Sequence, residues 1–216
     1  MAVATQGVTL PGCRRAARPE RQNLAHACNP APVVGNAVKH TQFPCIVGAF
    51  GWNHESWCGT YYPPDLPPEW RLAYYANDFN GVLVPAARWQ TASAADGHVW
   101  AEDVQSSFRF LFEYGVRALP DAWPGNLPDG LFGGWVDMAP APVPGHLRAT
   151  GIEDAGGDAE VILLEPGDVA DRRALGRRLV ALAARQRSPV ALIGTRGVHP
   201  DTLRELRLLA ELSGLS

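Results

Sequence analysis

Short apolar runs recur along this chain, each closed by a turn residue and most of them followed by a helical pattern. That alternation constrains the fold more than any other feature. The runs fall at residues 45–49, 82–85, 108–112, 131–138, 160–164 and 189–193. They are nearly continuous in apolar residues rather than alternating, which marks strands buried on both faces. In the last third, Asp168 stands where it can cap a helix reaching to about Arg187, with Leu175, Leu179 and Leu182 as its stripe. Pro200 suits the first position of a final helix whose face is Leu203, Leu206, Leu209 and Ala210. Strand–helix–strand–helix order implies parallel pairing through right-handed crossovers. The expected class is α/β, either a barrel or an open doubly wound sheet. Six strands are legible. Helices are expected over 68–80, with Leu72, Tyr75, Ala76 and Phe79 on one face, and over 93–104. Residues 115–158 are broken by six prolines, and only the run at 131–138, containing Gly133-Gly134, reads as a strand there.

The first strand leads into an unusual stretch. Residues 44–79 contain three of the seven tryptophans and four of the five tyrosines. Gly48 and Gly51 break the strand, and the following loop carries Trp52, His54, Glu55, Trp57, Tyr61 and Tyr62 before Pro63-Pro64 and Pro67-Pro68.

These residues resemble the opening of the YecE-like family, also called domain of unknown function 72. Its pattern G-W-x-x-x-x-W-x-G-x-Y-Y-P-x-x-L-P is met by Gly51, Trp52, Trp57, Gly59, Tyr61, Tyr62, Pro63, Leu66 and Pro67. The continuation L-x-Y-Y-A-x-x-F is met by Leu72, Tyr74, Tyr75, Ala76 and Phe79. The resemblance implies a TIM-type βα barrel and covers roughly a third of the chain. The trimmed middle implies an incomplete barrel. The family then continues V-E-I-N, where this chain has Val82, Leu83, Val84 and Pro85. Leu83 carries no proton, and Pro85 has neither a side-chain amide nor a backbone N–H. If the family's chemistry uses those two polar positions, this chain is impaired in it.

With 216 residues, one domain with a sizeable core is expected. A net charge of −3 provides no global field for nucleic acid or a membrane surface. With 46% apolar residues, 22 Gly and 19 Pro, the composition is that of a loop-rich globular protein. Residues 1–43 have four arginines, scattered prolines and no period, so a disordered tail is expected, with the barrel domain at 44–216. The LPGC ending at Cys13 lacks a preceding apolar segment long enough for a secretion signal. Four cysteines with no C-x-x-C pair point to reduced thiols and a cytoplasmic setting. Cys45, His54 and Cys58 match no standard zinc spacing, so no metal is expected. The absence of P-loop, G-x-G-x-x-G and G-x-S-x-G motifs gives no support to nucleotide-dependent or serine-hydrolase chemistry, and no cofactor is expected.

Sites in parallel α/β proteins lie at the carboxyl ends of strands. That rule selects Trp52, His54, Glu55 and Trp57 after the first strand. It adds Asp137, Glu165, and Thr195 with Arg196 after later ones. Glu165 and His54 are the candidates for proton transfer. The other six are candidate ligand contacts in an aromatic-lined pocket suited to a sugar or sugar phosphate. Each has a plainer alternative. Trp52 and Trp57 would be core, His54 an exposed loop residue, Glu165 a strand end, and Thr195-Arg196 an ordinary turn. The arginines at 172, 173, 177, 178, 185 and 187 read as a solvated helix face rather than a nucleic-acid surface. The expected partner is a small molecule, with no nucleic acid and no membrane. The alternative is a non-catalytic relative serving as a binding or interaction module.

Overall fold

The computed structural model describes residues 45–115, 127–128, 130–139, 143–155, 161–184 and 191–215. Among them are seven strands: β1 (Ile46–Ala49), β2 (Gly81–Val84), β3 (Arg109–Glu113), β4 (Phe132–Asp137), β5 (Leu147–Gly151), β6 (Val161–Leu164) and β7 (Ala191–Gly194). They form one parallel sheet in the order β1-β7-β6-β5-β4-β3-β2, and the bridge Phe50↔Leu83 brings its two edges together. The protein is a nearly closed seven-stranded βα barrel. Helices α1 (Arg71–Tyr75), α2 (Ala86–Trp89), α3 (Ala94–Glu102), α4 (Pro166–Ala170) and α5 (Arg172–Ala183) lie between strands, and α6 (Pro200–Leu212) follows β7. The two faces of the sheet explain the continuous apolar runs. Ile46, Leu83, Leu111, Val136, Val161 and Ile193 fill the interior, while Val82, Phe110, Phe112, Ile162 and Leu192 pack outward beneath the helices.

Closure depends on side chains. Between β1 and β2 a regular ladder is replaced by Tyr75 and Asn80. The Ala49 N–H donates to the Tyr75 hydroxyl at 2.8 Å, and that hydroxyl donates to the Gly81 carbonyl at 3.0 Å. The Asn80 amide oxygen accepts from the Val47 N–H at 2.8 Å, and its NH2 donates to the Cys45 carbonyl at 3.3 Å. Both strands lack a side chain where they approach: a Cβ on Gly48 would lie 2.1 Å from the Gly81 carbonyl oxygen. The seam therefore requires glycine on steric grounds alone.

The register gives the barrel its stagger. Ile46 is level with Ala191, Val161 and Ala149; two residues back, Leu147 is level with Val136 and Glu113. Two residues back again, Leu111 is level with Leu83 and Phe50, so one circuit is displaced by eight residues. Eight is the shear of an eight-stranded TIM barrel, retained here with seven described strands.

The stagger also explains β5, a strand not expected from the sequence. Leu-Arg-Ala-Thr-Gly has no apolar run, and its residues are only partly buried. It pairs with β4 only through Val136↔Leu147 and Asp137↔Arg148. Because β5 starts level with the end of β4, residues 138–146 suffice to join them. A parallel crossover ordinarily takes a dozen residues or more.

Two helix expectations need correction. Residues 68–80 form a 3₁₀ turn, Pro68–Trp70, and then the short α1, which releases Asn80 to serve the seam. The helix expected from Asp168 is two helices. Asp171 accepts the Arg173 and Ala174 N–H groups at 2.9 and 3.0 Å, breaking the first helix and capping the second. Asp168 instead accepts the Glu165 N–H within the first turn of α4. The tail at 1–43, and Arg185 and Arg187, lie outside the described residues.

Tyr75→Phe keeps the ring packing and removes the hydroxyl shared by Ala49 and Gly81. The expected loss is about 1–3 kcal/mol, the cost of buried backbone groups left without partners. Urea unfolding measures it, and an unchanged midpoint would refute the role given to the seam.

Candidate functional site at the carboxyl end of the barrel

The loop after β1 folds on its own aromatic residues. The Gly51 N–H donates to the Leu83 carbonyl at 2.8 Å, and the positive φ of 82° at Gly51 turns the chain out of the strand. Trp52 is 1% exposed; its ring meets Trp100 edge-on at 5.1 Å and Phe110 at 6.5 Å. Its carbonyl accepts the Tyr62 hydroxyl. Trp57 is 4% exposed, with Tyr61, Tyr62 and Tyr75 ring centroids 5.7–6.4 Å away. The spaced aromatics of the motif thus pack on one another and on the outer face of the sheet, and their faces are covered by protein.

Polar residues of the same loop are tied in a second layer. Arg71 is 6% exposed. It donates to Glu55 at 2.8 Å, to the Cys58 sulfur at 3.0 Å and to Asn53. The Glu55 side chain is 82% exposed, and the Arg71 guanidinium holds its carboxyl below the usual range. Cys45, at the base of β1, is buried, which pushes its thiol up to about 12. Among the described residues, no group of three His, Cys, Asp or Glu side chains is arranged to hold a metal ion.

His54 lies at the mouth. Its Nε2 is 3.0 Å from the Phe50 carbonyl oxygen and 3.3 Å from that of Gly51. Carbonyls only accept, so Nε2 carries the proton and Nδ1 is the free lone pair. Burial lowers its pKa most strongly, and the positive charge of Arg196 lowers it further. On the neighbouring strands, the Thr195 hydroxyl donates to the exposed Glu165 carboxylate at 2.8 Å. The Phe50 N–H donates to the Gly194 carbonyl, which links the two loops. Adjacent strands β1, β7 and β6 therefore bring His54, Thr195, Arg196 and Glu165 to one side of the rim.

Asp137 stands apart. It is 5% exposed and accepts the Ala139 and Val143 N–H groups at 2.8 and 3.0 Å, which hold its pKa down. It thereby ties Ala139 and Val143 to the end of β4. A second carboxylate, Glu113, went unnoticed in the sequence. It ends β3 and accepts the Ala86 N–H at 2.7 Å, fixing the start of α2. Its signal was a charged residue closing the apolar strand Arg-Phe-Leu-Phe-Glu. Leu83 lies in the barrel interior, fully buried. Pro85 is at the rim, where its ring carbons come within 3.5–3.6 Å of where a Gly51 Cβ would lie.

The comparisons with known proteins agree with this geometry. Residues 46–115 match the model of the family described as protein of unknown function DUF72. The chain carries a DUF72 segment. The match runs from β1 through β3, the part of the barrel that holds the seam and the aromatic loop. A DUF72 family protein from Thermotoga maritima, known from a crystal structure, has the same fold at 10% identity and a TM-score of 0.54. The alignment covers 77% of this chain and 99% of that one. Among curated proteins, none matches the chain.

Trp52→Ala is expected to lower stability by about 3–5 kcal/mol, as buried aromatic truncations do; a loss below about 1 kcal/mol in urea unfolding would contradict its place in the core. His54 is expected to titrate below its ordinary 6.5. Because its folded pKa is lowered, its contribution to stability is present above 6.5 and is lost as pH falls through the folded value. Imidazole NMR checks the midpoint, and a value at or above 6.5 would overturn the burial argument.

Proposed function

We propose that this DUF72-segment protein binds a small polar ligand, a sugar or sugar phosphate, at the carboxyl end of its barrel. The observation that carries this is the group His54, Glu165, Thr195 and Arg196 on the adjacent ends of β1, β6 and β7. Nδ1 of a neutral imidazole accepts a hydroxyl proton, Glu165 accepts a second hydroxyl, and Arg196 receives an oxygen-rich group. The ligand meets these polar groups rather than the faces of Trp52 and Trp57, which support the rim from below. Proton transfer in this mouth falls to His54 or Glu165.

A second reading is a non-catalytic binding module. It is favoured by Leu83, which fills the interior where the family resemblance places an acid, and by Pro85 at the rim. Under either reading the partner is a small molecule, without nucleic acid or membrane, and the setting is cytoplasmic. No helix among the described residues is long and apolar enough to cross a membrane.

A thermal-shift screen of monosaccharides and their phosphates tests the binding. A ligand at a hundred times its Kd adds about 2.7 kcal/mol, or roughly 5–10 °C in Tm for a domain of this size. Glu165→Gln should abolish that shift while leaving the unliganded Tm unchanged, because Glu165 is exposed. Equal shifts in both proteins, or none with any compound, would overturn the reading. Turnover of the stabilising compound by wild type and not by Glu165→Gln or His54→Gln separates an enzyme from a binding module.

A further inference from the structure

We propose that Arg88 forms an oxyanion site at the rim of the barrel, taking the phosphate or carboxylate of the ligand held by the His54–Glu165 side. This deepens the proposed function and names an anionic substrate class for the same mouth.

Arg88 lies in α2, which begins directly after β2. Its guanidinium carbon is 4.3 Å from the centroid of the Trp52 ring and 5.5 Å from that of Trp100. Stacking engages the face of the planar cation and holds its edge donors in a fixed plane. Its Nε is buried and has no hydrogen-bond partner among the described residues.

Arg88 differs from the other arginines that lie over rings. Arg71 and Arg204 also lie over rings, those of Tyr62 and Tyr61, but each also pairs with a carboxylate. Arg172, Arg178 and Arg207 are ion-paired too. Arg88 has no such ion pair among the described residues. Asp96 is near enough to favour its charge, yet among the described residues it makes no hydrogen bond or ion pair with Arg88, and its Oδ2 accepts both polar groups of Ser93, at 2.6 and 2.7 Å. Burial disfavours the charge, so a bound oxyanion would offset a cost that the chain itself leaves standing.

Position supports the assignment. Gly51 has Pro85 on one side and the His54 ring on the other; a Cβ there would lie 3.5 Å from Pro85 and 3.7 Å from His54 Nε2. Arg88 follows Pro85 by one helical turn and covers Trp52, the residue after Gly51. Pro85, Gly51 and Trp52 therefore link the segment that carries the cation to the loop that carries the imidazole.

The experiment uses the full chain labelled with ¹⁵N. The Arg88 Nε–H and the Trp52 indole N–H are followed while inorganic phosphate or acetate is added at constant ionic strength. Saturable shifts of both signals are expected, and the stronger of the two anions identifies a phosphate-bearing or a carboxylate-bearing ligand. In Arg88→Gln the indole response should vanish. In Arg88→Lys, which keeps the charge and loses the stacked plane, binding should weaken about tenfold. Linear, unsaturable shifts, or an indole response unchanged in Arg88→Gln, would overturn the proposal. Glu165→Gln should leave the phosphate response intact, so failure of the sugar reading and failure of the oxyanion site remain distinguishable.

Discussion

The barrel depends on one phenol. The Tyr75 hydroxyl accepts from β1 and donates to β2, and with Asn80 it stands in for the ladder that would otherwise join the two edges. An open parallel sheet exposes unpaired N–H and C=O groups along its edge strands. Here those edges meet across Gly48 and Gly81, too close for a regular pairing with side chains between them. A hydroxyl that both donates and accepts is suited to that gap, because it satisfies an N–H and a carbonyl with one atom. The aromatic loop follows from the same device. Tyr75 stacks on Trp57 and Phe79 while its hydroxyl holds the seam, so the cluster and the closure are fixed together.

The chemistry at the mouth inherits its geometry from that closure. With β1 held against β2, Gly51 turns outward, and His54 folds back to donate to Phe50. With β1 paired to β7, Thr195 and Glu165 arrive beside it. The opposite side of the barrel is built differently. Asp137 holds the Ala139 and Val143 N–H groups, Glu113 anchors α2, and β5 pairs with its neighbours over only a few residues. Acidic residues that look equivalent in position therefore divide into those consumed by the backbone and one, Glu165, facing solvent beside a hydroxyl.

Much of the fold was legible because burial on both faces leaves a direct mark on sequence. Strands β1, β2, β3, β4, β6 and β7 are runs that water would disfavour, and α6 has a clean apolar stripe ending the chain. Strand β5 left no such mark, since Arg148, Thr150 and Gly151 are tolerated in a strand whose residues are half-buried or exposed. The break at Asp171 was hidden for a different reason. An Asp inside a helical pattern reads as an exposed residue, and whether it continues the helix or caps a new one depends on which N–H groups it meets.

What the sequence alone determined is the class of the protein: parallel strands with helices between them, and the spaced aromatic motif that identifies a DUF72 segment. Those features are local, and each is set by periodicity or by residue type. Tertiary structure decided what the motif residues do. By sequence Trp52 and Trp57 leave both a ligand platform and a core open, with core the commoner role of such aromatics; their partners decide it. Those partners, Trp100, Phe110 and Tyr75, lie 18 to 58 residues away along the chain. The same holds for Arg88, which by sequence offers a substitute binding contact beside the altered strand and whose setting against two touching indoles exists only because the barrel folds β1 against β2. Burial and pairing are properties of long-range contact, and no spacing rule encodes them.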